Sequence, residues 1–188
     1  MVVGLGNPGR RYARTRHNVG FRVVEALCER WQAGSARKLF GGELAEARLG
    51  PAARRVMLLR PMMYMNRSGQ AVRDVAGYHR IDLADVLVVL DDMALEPGRL
   101  RARASGSAGG HKGLGDVLSA VGTDEVARLR IGIGQPPEFM DATDYVLAPF
   151  GEAERDVMER AIALATEAVE DWLAEGTAYV MNKYNRAP

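Results

Sequence analysis

Apolar and polar positions along this chain repeat at two periods, one suited to strands and one to helices. Val2-Val3 opens as a short strand. A helix is predicted over about residues 18–31, because Val19, Val23, Val24 and Leu27 recur at helical spacing. Residues 43–49 and 54–60 read as two strands joined at Gly50-Pro51. Ser68 stands where it would cap a helix running to about residue 80, with Val72, Val75 and Ala76 inward. The run VLVVL at 86–90 is apolar without alternation and ends in Asp91. That pattern suits a central strand buried on both faces, with a carboxylate at its carboxyl end. Residues 100–104 alternate apolar residues with Arg, as a half-exposed strand would. A helix is expected over 114–121 and a strand over 128–134. Residues 135–144, with two prolines, read as a mobile surface loop. The longest helix is predicted over 151–175, where Val157, Met158, Ala161, Ile162, Ala165, Val169, Trp172 and Leu173 form a core-facing stripe. Strands and helices alternate, with no repeat and no linker long enough to divide the chain. The expectation is a single α/β domain over residues 1–188: a twisted mixed sheet with a parallel centre, flanked by helices on both faces.

Composition narrows the class. At 188 residues, 47% hydrophobic and 26% charged, the chain has material for one globular core. Its single cysteine, Cys28, excludes an internal disulfide and a cysteine-based zinc site. No signal-like N-terminus and no membrane-length apolar run are present, so a cytoplasmic protein is expected. The net charge of +1 hides an asymmetry. Residues 1–150 carry 21 Lys/Arg against 16 Asp/Glu, whereas residues 151–176 carry two against eight, so a basic face is predicted away from the last long helix. Arg10, Arg11, Arg14 and Arg16 form one cluster, and Arg99, Arg101 and Arg103 with Lys112, Arg128 and Arg130 form another. Such clusters suit a phosphate backbone, although any one of them also reads as ordinary surface charge.

Gly4-Leu5-Gly6-Asn7-Pro8-Gly9 spells G-x-G-x-x-G, the dinucleotide-binding pattern. That fingerprint requires its glycines to open directly into a helix. Here RRYARTRHN intervenes without apolar period, Pro8 removes an N–H, and the acid about 20 residues on, Glu25, falls inside the first helix. A dinucleotide site is therefore not expected.

What surrounds the glycines is more informative. Asn7, Tyr12, His17, Asn66, Asp91 and His111 all fall in predicted turns or at strand ends, and sites in open α/β sheets form at carboxyl strand ends. A His beside an Asp makes a usable general base. Asn offers both a donor and an acceptor for water or a carbonyl. No G-x-S-x-G elbow is present, and no His/Asp/Glu set has metal-ligand spacing. Residue by residue, each of these positions also has a plain structural reading as a turn former or cap.

In combination they point further. GLGNPGRRYARTRHNVGF resembles the N-terminal signature of the bacterial peptidyl-tRNA hydrolases. RPMMYMNRSGQAV, VLVVLDDMALEPGRLR, GSAGGHKGL and RLRIGIGQP resemble further blocks of that family in the same order, over nearly the whole chain. The resemblance implies hydrolysis of the ester between a peptide and the terminal ribose of tRNA, recycling tRNA from stalled ribosomes. It implies no metal, no cofactor, no membrane and no obligate protein partner, and a monomer is expected. By the same resemblance His17 is the catalytic base and Asp91 its partner. Asn7, Tyr12, Met65 and Asn66 line the substrate site, His111 belongs to its rim, and Arg103 and Arg130 meet tRNA phosphate.

Two departures from the family pattern, at Lys112 and in the loop 135–144, matter more than a third at Ala94. Lys112 stands where Asn is common; it is expected to touch substrate, by orienting it or by meeting a phosphate. The loop 135–144 has no Lys or Arg, where many members carry a basic residue. Ala94 replaces a frequent Asp. The competing reading is an RNA-binding scaffold of the same fold, and retention of Asn7, His17, Asn66 and Asp91 argues against it.

Overall fold

The computed structural model describes residues 1–186, so the last two residues of the expected domain lie outside the described residues. Seven strands form one sheet in the order β2-β3-β4-β1-β5-β7-β6. β1 (Val2–Gly4) lies near the middle, parallel to β4 (Arg54–Pro61) on one side and to β5 (Leu87–Asp92) on the other. β7 (Ala127–Gly132) extends the parallel centre. β3 (Gly42–Leu49) and β2 (Arg37–Leu39) add antiparallel strands at one edge, and β6 (Leu100–Arg103) closes the other.

Alternation along the central strands divides the core in two. Val2, Leu87 and Val89 pack on one face, against α1 (Val19–Arg30) and α5 (Glu152–Glu175). Val3, Val88 and Leu90 pack on the other, against α2 (Ser68–His79) and α3 (Lys112–Val121). A strand with apolar residues at every position is stable only when both faces are covered, as here. The expected α/β architecture is the one found.

Gly4 of the opening motif serves packing, together with Gly20. A Cβ on Gly4 would fall 2.2 Å from the carbonyl oxygen of Gly20, and one on Gly20 would fall 2.4 Å from that of Val89. The first turn of α1 therefore sits directly on the ends of β1 and β5. Larger residues would push the His17 turn off the sheet.

Several local expectations are corrected. β2 escaped detection because its three residues, RKL, are all exposed at an edge and carry no alternation. α6 (Thr177–Tyr184), also not predicted, buries only Val180 and Tyr184. After it, Asn185 pairs with both backbone groups of Ala102, accepting from its N–H at 2.7 Å and donating to its C=O at 3.0 Å, which blunts the edge strand β6. α3 starts at Lys112 rather than 114, because the His111 side chain caps it. α4 (Ala142–Leu147) begins inside the expected loop, with Asp141 as its N-cap. Ser68 is the first residue of α2 rather than its cap; its hydroxyl donates to Met65 O at 2.9 Å. Among the described residues no helix is long and apolar enough to cross a membrane.

Candidate active site

The carboxyl ends of β1, β5 and β7 and the segment after β4 open into one cavity of about 720 Å³. Asn7 follows β1, Met65 and Asn66 follow β4, and Asp91 is the penultimate residue of β5. α4 walls the far side with Ala142, Thr143, Val146 and Leu147. Ligand sites in open α/β sheets form in this location because consecutive strands send their connections to opposite faces and leave a crevice.

At its base lie His17, Asp91 and His111. Two tight turns separate Gly9 from α1, and the second carries His17 (Arg16–Asn18). His17 Nδ1 is 2.8 Å from Asp91 Oδ1, and His111 Nε2 is 3.0 Å from the same oxygen. A carboxylate only accepts, so both ring nitrogens donate. His111 Nδ1 in turn accepts from the Leu114 N–H at 3.1 Å, which requires that nitrogen to be unprotonated. The contacts thus fix one proton on each ring: His111 carries it on Nε2 and accepts at Nδ1, and His17 carries one on Nδ1, so that in a neutral His17 ring the lone pair is on Nε2. The Asp91 side chain is 3% exposed, His111 9% and His17 12%. Burial alone would raise the Asp91 carboxyl; the electrostatic attraction and hydrogen bonds of the His111 and His17 N–H groups outweigh it and hold the group well below the ordinary carboxylate range.

This arrangement corrects two expectations. His111 is a direct partner of Asp91 rather than a rim residue. The three side chains, far apart in sequence, bring potential metal-ligand atoms within 4.8 Å of one another, which no spacing rule could reveal. Those atoms are engaged with each other by hydrogen bonds.

Asn7 is held from two directions. Asn18 accepts from the Asn7 N–H at 2.8 Å and returns a bond to the Asn7 carbonyl at 2.9 Å, so one amide side chain copies a strand pairing. The Asn7 side-chain oxygen accepts from the Met65 N–H at 2.9 Å. With that oxygen engaged, the NH2 end of Asn7 is its available donor in the cavity wall. Tyr64, ahead of Met65, has φ 62° and ψ 158°, a region nearly reserved for glycine. It precedes the turn that presents the buried Met65 and the exposed Asn66 to the cavity. Tyr12, half-buried, completes the mouth.

The basic residues separate into distinct classes. Lys112 and Arg130 line the cavity. Arg130 Nε is paired with Asp92 Oδ2 at 2.8 Å, whereas Lys112 has no ion pair among the described residues. Arg103 is outside the cavity, on edge strand β6. There Arg103 stands opposite Arg128 and Arg101 opposite Arg130. Facing residues of an antiparallel pair project to the same side, so four arginines share one face of the sheet, an arrangement that costs stability unless an anion compensates it. Arg128 is nevertheless buried, donating to Gly106 O at 2.6 Å and Asp124 O at 3.1 Å. Arg16 is buried as well. Neither belongs to a solvated basic surface, contrary to the sequence expectation. Arg10, Arg11 and Arg14 are exposed as expected.

Sequence reasoning missed Asn18 as a support of the site, although it directly follows His17. It also missed Asp92, whose Oδ1 accepts from the Ala94 N–H at 2.9 Å while Oδ2 faces Arg130. A second acid after Asp91 was the available signal.

Comparison with known proteins identifies the family. The family model described as peptidyl-tRNA hydrolase matches residues 1–188. A peptidyl-tRNA hydrolase of Symbiobacterium thermophilum is 48% identical, with 98% of each chain covered. One of Rhodopirellula baltica is 46% identical, covering 100% of this chain and 97% of its own. The crystal structure of peptidyl-tRNA hydrolase from Acinetobacter baumannii superposes with a TM-score of 0.90 at 35% identity, covering 98% of this chain and 93% of that one. The chain belongs to the peptidyl-tRNA hydrolase family and is a hydrolase.

Proposed function

We propose that this chain hydrolyses the ester joining a peptide, or an N-blocked aminoacyl group, to the terminal ribose of tRNA, and so recycles tRNA from peptidyl-tRNA released by stalled ribosomes. The observation that supports the reading is the contact of His17 Nδ1 with Asp91 Oδ1: donation from Nδ1 makes Nε2 the nitrogen left to act as base.

The steps balance with water and side chains alone. Water attacks the ester carbonyl carbon while His17 Nε2 takes its proton. The imidazolium is stabilised through Nδ1–H by the Asp91 carboxylate. The carbonyl oxygen becomes an oxyanion, for which the Asn7 NH2 group is a placed donor. Collapse breaks the bond to the ribose oxygen, which recovers the proton from His17. The products are the peptide carboxylic acid and free tRNA. Tyr12, Met65, Asn66, His111 and Lys112 form the substrate-binding wall, with His111 also orienting Asp91. Arg103, on the edge strand β6, and Arg130, on β7 at the cavity, meet tRNA phosphates, and the clustered arginines on this face favour a polyanion. The reading takes residues 1–188 as one catalytic domain acting as a cytoplasmic monomer without metal or cofactor.

The decisive assay follows release of an N-blocked amino acid from tRNA by the purified protein. Release above background, absent with unblocked aminoacyl-tRNA, supports the reading. Tight tRNA binding with no release would favour an RNA-binding scaffold instead.

A further inference from the structure

Arg16 directly precedes the proposed base, and its surroundings give it a task that its charge alone does not suggest. Its side chain is 9% exposed. Nη1 donates to Pro149 O at 2.8 Å, and Nη2 donates to Glu154 Oε2 at 2.7 Å. The guanidinium lies 4.2 Å from the ring centre of Tyr145 and 5.2 Å from that of Phe150. The Arg16 backbone N–H donates to Ala148 O at 3.0 Å, and Thr15 and Pro149 form an isolated β-bridge.

Every one of these partners falls between residues 145 and 154. That stretch holds the end of α4, the crossing that follows and the first turn of α5. Its two ends are themselves anchored: the Tyr145 hydroxyl donates to Ile133 O at 2.6 Å, and Glu154 also accepts from the Gly151 N–H at 2.6 Å. α4 supplies one wall of the cavity, and the turn after Arg16 supplies its base. A cation so enclosed is unavailable to a phosphate. What it joins is the α4 wall of the cavity and the turn that carries the proposed base, His17.

We propose that Arg16 is a positioning residue: by binding residues 145–154 it holds His17 at a set place relative to the α4 wall, so that base and wall act as one rigid body. The inference rests on the reading of His17 as the general base. Arg is the side chain suited to the task, because its planar fork donates in two directions while its face stacks on aromatic rings. Lysine retains the charge but has neither the fork nor the stacking face.

The test compares Arg16→Lys and Glu154→Gln with the unmodified protein, using an N-blocked aminoacyl-tRNA well below each protein's melting temperature. Small misplacements of a reacting group cost up to ~100-fold in rate, so kcat should fall about 10- to 100-fold in Arg16→Lys and less in Glu154→Gln. KM for tRNA and its salt dependence should stay unchanged. The downfield proton resonance of the His17 Nδ1–H, hydrogen-bonded to Asp91, should move upfield in step with kcat. A folded Arg16→Lys protein with unchanged kcat and an unmoved resonance overturns the proposal. So does a raised KM with weakened salt dependence, which would make Arg16 a phosphate contact. If Arg16→Lys does not fold, unchanged kcat in Glu154→Gln is enough to overturn it. His17→Ala, measured in parallel, separates the two ideas. Retained turnover there removes the base itself, whereas lost turnover there with none lost in the Arg16 and Glu154 variants removes only the positioning role.

Discussion

His17 and His111 direct their ring nitrogens at the same oxygen of Asp91, with ring centroids 5.0 Å apart. Two donors therefore share one acceptor, and each weakens the hold of the other. His111→Ala should return the full acceptor strength of Asp91 to His17. A stronger partner favours the imidazolium, so the midpoint of the pH–rate profile should rise. Asp91→Asn should move it in the opposite direction and cost more turnover. Midpoints that shift the same way in both variants would show that the two histidines do not share Asp91 in solution.

His17→Ala should fold and bind tRNA as before while losing the proton acceptor. Removal of a placed acid–base group typically costs ~10²–10⁴-fold in rate. Single-turnover kinetics on a saturating substrate read this directly. Turnover within a few-fold of the unmodified protein would remove His17 from the mechanism.

Asp91 also links the site to acid stability. Its pKa in the folded chain is depressed, mainly by His111 and His17 acting against burial. A depressed carboxyl contributes stability that is fully present above the unfolded-chain value of about 4 and is lost as pH falls through the lower folded value. Asp91→Asn should thus be less stable than the parent at neutral pH, and the gap should narrow as the pH drops below that value. Urea unfolding at neutral and acid pH measures it; a gap that widens in acid contradicts the assignment.

Arg103 and Arg130 give a separate test of tRNA grip. Arg103→Ala should raise KM and flatten the salt dependence of kcat/KM, by about 0.7–0.9 in log–log slope for each lost phosphate contact. Its kcat should be unchanged. Arg130→Ala should do the same and also lower the melting temperature, because it leaves the buried carboxylate of Asp92 without its partner at 2.8 Å. Equal loss of kcat on whole tRNA and on a minimal ester would place these arginines in the chemistry instead.

Lys112 lines the cavity without an ion-pair partner among the described residues. If it meets a phosphate of the substrate, Lys112→Asn should raise KM and weaken the salt dependence at constant kcat. A rise in kcat would assign the position to orienting water or substrate.

Much of the architecture could be read from the chain alone. The unbroken apolar run before Asp91 suited a strand covered on both faces, and the long stripe at helical period through Trp172 suited a core helix. Both are local patterns of apolar residues. β2 and α6 were missed because an exposed edge strand and a helix burying two residues leave no such period.

The candidate site divides along the same line. Sequence alone determined which chemical groups were present, and the order of motifs around His17, Asn66, Asp91 and His111 identified the family they resemble. It could not determine that His111 shares Asp91 with His17, that Asn18 braces Asn7, or that Arg16 is buried beneath residues 145–154. Hydrogen-bond geometry and burial arise between segments distant along the chain. They exist only after the parallel strands align their carboxyl ends and Gly4 and Gly20 let α1 settle onto them. Residue type supplies a base, a carboxylate and an amide. Tertiary packing decides which nitrogen is protonated and which cation reaches solvent, because both depend on the nearest neighbour in space.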